Sequence, residues 1–108
     1  MGAYLYLALA IAAEVTGTVS LKLSEGFSKV VPSALVVAGY GVAFFALARV
    51  LKSGLPIGLA YAVWAAAGVA LVAVIGVLFL KEPMNAMMVG GLALVIGGVV
   101  LLEVGSSQ

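Results

Sequence analysis

Glu14 lies near the middle of the first apolar stretch of the chain, between Ala13 and Val15. A charge at the centre of a hydrocarbon-spanning helix costs at least about 2.5 kcal/mol on insertion scales, so such a group turns toward a packed interior or a water-filled cavity. Desolvation disfavours the charged form of any carboxyl group, and a group placed there readily takes up a proton. No lysine or arginine lies in the middle of an apolar stretch to neutralise it, Arg49 standing at the very end of one. The counter-charge is then a proton or a cationic ligand, each excluding the other, which is the minimal chemistry of an exchanger.

On a helix, positions three, four and seven away share a face, which for Glu14 means Leu7, Ala10, Ile11, Gly17, Thr18 and Leu21. Ala10, Gly17 and Thr18 are small and leave room for a ligand or for a second Glu14 from a partner subunit. They offer no obvious donor, so the carboxylate is expected to be loosely held. The alternative is close helix packing through small residues, common in membranes. Tyr4 and Tyr6 read as interfacial anchors. Tyr40 and Phe44 are one turn apart, as are Tyr61 and Trp64, and both pairs lie deeper. Aromatic faces attract organic cations, more strongly when both are desolvated. Phe44 is equally compatible with packing or lipid contact.

The composition narrows the alternatives. With no histidine and no cysteine, the chain lacks the usual general base and any thiolate metal site or disulfide. No catalytic residue set, metal or cofactor is expected, and the chain does not read as an enzyme. A net charge of +1 with scattered lysines gives no footprint for nucleic acid. Of the 108 residues 66% are hydrophobic and 8% charged, more apolar surface than a soluble globule of this size can hide. The solvent must be lipid.

A helix crossing about 30 Å of hydrocarbon needs roughly 20 apolar residues. Four stretches qualify, at about 4–21, 32–50, 57–80 and 85–104. Pro32 suits a first helical turn, Asn85 suits an N-cap, and Lys81-Glu82-Pro83 ends the third span. The runs are too long for strands and lack period-two alternation. The reading is an all-α integral membrane protein, one domain of four transmembrane helices over residues 1–108, with short loops that make neighbours antiparallel. The first span has no basic segment before it and carries an acid, so it is expected to be a mature helix rather than a signal peptide.

Four spans place Lys22, Lys29 and Lys81 on one membrane face and Arg49, Lys52 and the terminal amine on the other. The bias is close to nil, so the chain can insert both ways, and oppositely inserted copies can form an antiparallel, dual-topology dimer. Gly90, Gly91, Gly97 and Gly98 make a stripe along the fourth span that permits close contact. Gly68, after three alanines, is a candidate hinge. Glu103, near the end of the fourth span, reads as reaching the headgroups, with a second proton site as the alternative.

These residues resemble the small multidrug resistance transporters over essentially the whole chain. The resemblance rests on Ala13-Glu14-Val15 with Gly17-Thr18, Lys22, Ser24-Glu25-Gly26-Phe27 with Pro32, Pro56-Ile57-Gly58 leading to Ala60-Tyr61-Ala62-Val63-Trp64, and the Gly-rich fourth span. It implies an antiparallel homodimer in the bacterial inner membrane that exports toxic cations in exchange for protons. It makes Glu14 the shared proton and substrate carboxylate. Tyr61, Trp64, Tyr40, Phe44, Ala10, Gly17 and Thr18 would then line the site, with Gly91 and Gly98 at the dimer contact.

Two departures bear on substrate. Ala65 and Ala66 follow Trp64, where the family often has Ser-Gly or Ala-Gly, so the bend falls mainly on Gly68. Lys81-Glu82-Pro83 resembles the guanidinium exporters, yet these carry Gly three residues before the carboxylate and Trp three after, where this chain has Ile11 and Gly17. That favours the quaternary ammonium and polyaromatic cation branch. A guanidinium or polyamine exporter, half of a heterodimeric pair, or a non-transporting membrane interaction subunit are the alternatives.

Overall fold

The computed structural model describes residues 2–106. They form four α-helices: α1 (Gly2–Leu23), α2 (Val30–Lys52), α3 (Ile57–Phe79) and α4 (Ala86–Ser106). Each is long and apolar enough to cross a membrane. At about 1.5 Å per residue, such helices match a hydrocarbon core of about 30 Å. α1 and α2 run two residues further at each end than the expected 4–21 and 32–50. The backbone ladder continues through Lys22 and Lys52, since a long side chain lets a charged residue at a helix end reach past the apolar core.

Local chemistry explains the helix ends. Pro32 sits in the first turn of α2, where its missing N–H leaves no bond unmade. The Asn85 Oδ1 accepts the Met88 N–H at 2.9 Å, the N-cap bond expected of an Asn there. At the end of α2, Ser53 donates its N–H to the carbonyls of Arg49 and Val50, and its hydroxyl to Val50 at 2.6 Å. The Gly76 carbonyl near the end of α3 accepts both the Leu80 and the Glu82 N–H, at 3.1 and 2.9 Å. Lys81, with φ 57°, turns the chain between them.

The chain groups into two compact units, Met1–Leu55 and Pro56–Gln108, each a helical hairpin. In the first, the buried positions of α2 are Val36, Gly39, Ala43, Ala46 and Val50, the alternating three-and-four spacing of a close-packed helix seam. At Gly39 the helices meet backbone to backbone. A Cβ there would stand 2.8 Å from the Ala13 carbonyl oxygen and 3.0 Å from the Gly17 Cα. Only glycine admits this approach, which brings α2 against the stretch of α1 that carries Glu14.

The turn between α1 and α2 is built around Ser24, which is fully buried. Its hydroxyl donates to the Leu21 carbonyl and accepts the Phe27 N–H, and its carbonyl accepts the N–H groups of Ser28 and Lys29. Glu25, Gly26 and Phe27 all take left-handed conformations, with φ of 48°, 73° and 67°. For the two non-glycine residues this costs roughly 1–2 kcal/mol each, offset by the bonds on Ser24. A 2.8 Å ion pair from Lys29 to Glu25 adds to them. Hydrogen bonding from Lys29, and then its charge, holds the exposed Glu25 carboxyl below the ordinary value of 4.5.

In the second unit, α3 packs along α4 and runs unbroken through the buried Gly68. No residue of α4 is buried, and open space faces Gly90, Gly91, Gly97 and Gly98.

Gly39→Ala is expected to destabilise the first hairpin by about 1–3 kcal/mol through overpacking. Gly41, which faces open space, should accept alanine with a change below about 0.5 kcal/mol. Unfolding of the purified protein in mixed detergent and dodecyl sulfate compares the two. At the turn, Lys29→Met should bring the Glu25 midpoint back up to its ordinary value, read by carbon NMR of the labelled carboxyl. The sign follows from a depressed folded value: the pair's contribution is complete above pH 4.5 and is lost as acidification carries Glu25 through its lower folded midpoint.

Candidate functional site

Glu14 is half-buried on α1, and the side chain nearest to it in a chemical sense is Thr18, one turn on. The Thr18 hydroxyl donates to Glu14 Oε2 at 2.6 Å. Thr18 Oγ1 also lies 2.6 Å from the Tyr40 hydroxyl on α2. A threonine hydroxyl carries one hydrogen, so once it is given to the carboxylate, Tyr40 must be the donor in the second bond. The result is a directed chain, Tyr40 O–H to Thr18 Oγ1 and Thr18 O–H to Glu14. A proton arriving on Oε2 reverses it, because the carboxylic acid then donates to Thr18 and Thr18 to Tyr40. The hydroxyls can therefore serve both charge states without moving a heavy atom.

This corrects the expectation of a carboxylate held by no donor. Thr18 is a small residue on the Glu14 face, and it is also the donor. Its second partner lies 22 positions away on another helix. The signal that could have found it was the pairing of a threonine at i+4 from a membrane carboxylate with a tyrosine inside a neighbouring span. Hydrogen bonds to charged groups contribute about 1.5–3 kcal/mol, enough to favour one carboxylate geometry over others.

The other first-hairpin residues gather around this chain. Gly17 is buried, and a Cβ on it would meet the Tyr40 ring at 3.3 Å, so the glycine sets how closely tyrosine approaches α1. Ala10, one turn before Glu14, is completely buried. Phe44 stacks on Tyr40 with ring centroids 6.4 Å apart and planes 26° from parallel, leaving 58% of Phe44 exposed. Of the two tyrosines expected as interfacial anchors, Tyr4 is exposed while Tyr6 lies half-buried under the Arg49 guanidinium.

In the second hairpin Tyr61 and Trp64 form an edge-to-face pair, 5.8 Å between centroids and 85° between planes. Trp64 is buried, 7% exposed, while Tyr61 presents 61% of its surface. Gly68 is buried one turn beyond Trp64, whereas Gly91 and Gly98 are exposed on α4. Each hairpin therefore brings its own aromatic pair together, and the carboxylate belongs to the first.

Four spanning helices with a carboxylate hydrogen-bonded inside one of them define a multi-pass membrane protein with a polar centre within the bilayer. A family model described as Small Multidrug Resistance protein matches residues 2–95, and the chain belongs to that family. It is 46% identical over 103 residues to the quaternary ammonium compound-resistance protein QacE of Escherichia coli, covering 95% of this chain and 93% of that one. To the multidrug resistance protein EbrA of Bacillus subtilis it is 48% identical over 100 residues, covering 93% and 94%. A putative ethidium bromide resistance protein of Escherichia coli is 45% identical over 101 residues, covering 94% and 87%.

Thr18→Val is expected to shift the Glu14 carboxyl stretching band, isolated as an infrared difference against Glu14→Gln. Tyr40→Phe should give a smaller shift of the same sign, since it acts through Thr18. A band that Thr18→Val leaves in place would show that the hydroxyl does not bond the carboxyl.

Proposed function

We propose that the protein is a proton-coupled antiporter that exports lipophilic, quaternary ammonium and aromatic cations across the bacterial inner membrane by alternating access. The observation that carries this reading is the carboxylate within a spanning helix, fitted with a hydroxyl chain that serves its charged and its neutral form. A single carboxylate binds a proton or an organic cation but not both, so each ligand displaces the other. That exclusion couples the two fluxes without any covalent step. The names of the relatives support the substrate class: quaternary ammonium compounds for one, ethidium for another.

Each residue has a stated part in the proposal. Glu14 takes the proton or the cation. Thr18 and Tyr40 hold the carboxylate, and the faces of Tyr40, Phe44, Tyr61 and Trp64 attract the cation, by about 0.5–2 kcal/mol per desolvated contact. Ala10 and Gly17 supply space. Ile11 and Gly17 beside the carboxylate favour a bulky cation over a small planar one. Both hairpins build one four-span domain, Gly68 allows α3 to flex as access alternates, and two copies inserted oppositely associate through Gly91 and Gly98 as an antiparallel homodimer. Small residues are what close contact between membrane helices requires.

Adding tetraphenylphosphonium to the detergent-solubilised protein at mildly alkaline pH should release protons, and Glu14→Gln should abolish the release. Release by guanidinium alone would reassign the substrate to a small planar cation. If neither cation displaces a proton from folded protein, the antiporter reading fails and a non-transporting interaction subunit takes its place.

A further inference from the structure

The end of the first hairpin opposite the Ser24 turn holds a cleft with no part in the exchange chemistry. It has a volume of about 530 Å³ and is lined by Gly2, Ala3 and Tyr6 from the start of α1 and by Arg49, Lys52 and Ser53 from the end of α2. Two of the six are cations and none is an acid. The two acids of this hairpin lie elsewhere: Glu14 is two turns further along α1 from Tyr6, and Glu25 is in the turn at the far end.

Arg49 is held in place by aromatic rings. Its guanidinium carbon sits 5.8 Å from the centroid of the Tyr6 ring and 5.7 Å from that of Phe45. Such contacts restrain the planar group while leaving its N–H fork to bind an oxyanion. The α2 carbonyls nearest the cleft are already engaged, since Ser53 bonds those of Arg49 and Val50 and the Gly54 N–H bonds that of Leu51. The first N–H groups of α1, at Gly2 and Ala3, belong to the turn that has no intrahelical partners. Charge, donors and shape therefore all suit an anion with several oxygens.

Position decides which anion. Arg49 and Lys52 occupy the last turn of a membrane-spanning helix, at headgroup depth, where phospholipid phosphates are the abundant oxyanions. Below Arg49 on the same face of α2 lie Phe45 and Val42, both exposed large apolar side chains that an acyl chain can follow. We propose that this cleft binds the phosphate of an anionic phospholipid, with Arg49 and Lys52 on its oxygens and the acyl chains running down past Phe45 and Val42.

Native mass spectrometry of the detergent-solubilised full chain, titrated with phosphatidylglycerol or phosphatidylcholine, tests this. Phosphatidylglycerol is expected to bind about tenfold more tightly than phosphatidylcholine, because two cations select the headgroup that keeps its negative charge. Arg49→Gln with Lys52→Gln should lose that preference, whereas Lys22→Gln with Lys29→Gln, which removes equal charge at the other end, should keep it. Arg49→Lys preserves charge and should weaken binding by only about threefold, a readout that survives if the double variant misfolds by circular dichroism. Equal loss in the two double variants, or an unchanged preference in Arg49→Gln with Lys52→Gln, would overturn the site. Full competition by inorganic phosphate would overturn the assignment to lipid.

Discussion

A carboxylate in a hydrocarbon-spanning helix must be given partners, and much of the first hairpin follows from that need. In lipid, a polar group finds hydrogen bonds within the protein or goes without. Glu14 obtains one from Thr18, on its own helix, and Thr18 obtains its own from Tyr40 on the next. The second bond requires α2 to lie very near α1 at this depth. Gly39 allows it by resting on the backbone at Ala13 and Gly17, and Gly17 gives the Tyr40 ring its place. Gly17 and Gly39 are thus part of the polar centre, although neither carries a polar side chain.

The membrane spans were legible because their signal is long and redundant. Four apolar runs bounded by lysines, prolines and an asparagine leave little choice of element, and the ends differ by at most two residues, where the helical ladder continues past the last apolar side chain. The Asn85 cap was readable for the same local reason. Glu14 stood out through its cost alone. What escaped were facts that depend on two helices at once. Thr18 read as a small neighbour because its role depends on Tyr40, and Gly39 drew no notice because nothing in its own helix distinguishes it from Gly41. The three left-handed residues of the turn were hidden for another reason, since only Gly26 among them is of a type that invites such a conformation.

The two hairpins differ in how they treat their surfaces. The first closes on itself through a tight seam and a hydrogen-bonded turn. The second leaves α4 without a buried residue and with open space before each of its glycines. Lipid accepts an apolar helix face as readily as a protein neighbour does, so exposure of this kind brings none of the hydrophobic penalty it would bring in water. Packing quality, rather than apolarity, determines what such a face holds on to.

The turn around Ser24 bears on how the chain enters its membrane. When the turn is the end of the hairpin that travels through hydrocarbon, every unbonded amide or lone charge it carries raises the barrier. Between Ser24 and Lys29 much of that load is already settled internally: Ser24 engages three amide groups and Lys29 offsets the charge of Glu25. A loop folded in this way presents a smaller polar cargo than its sequence suggests.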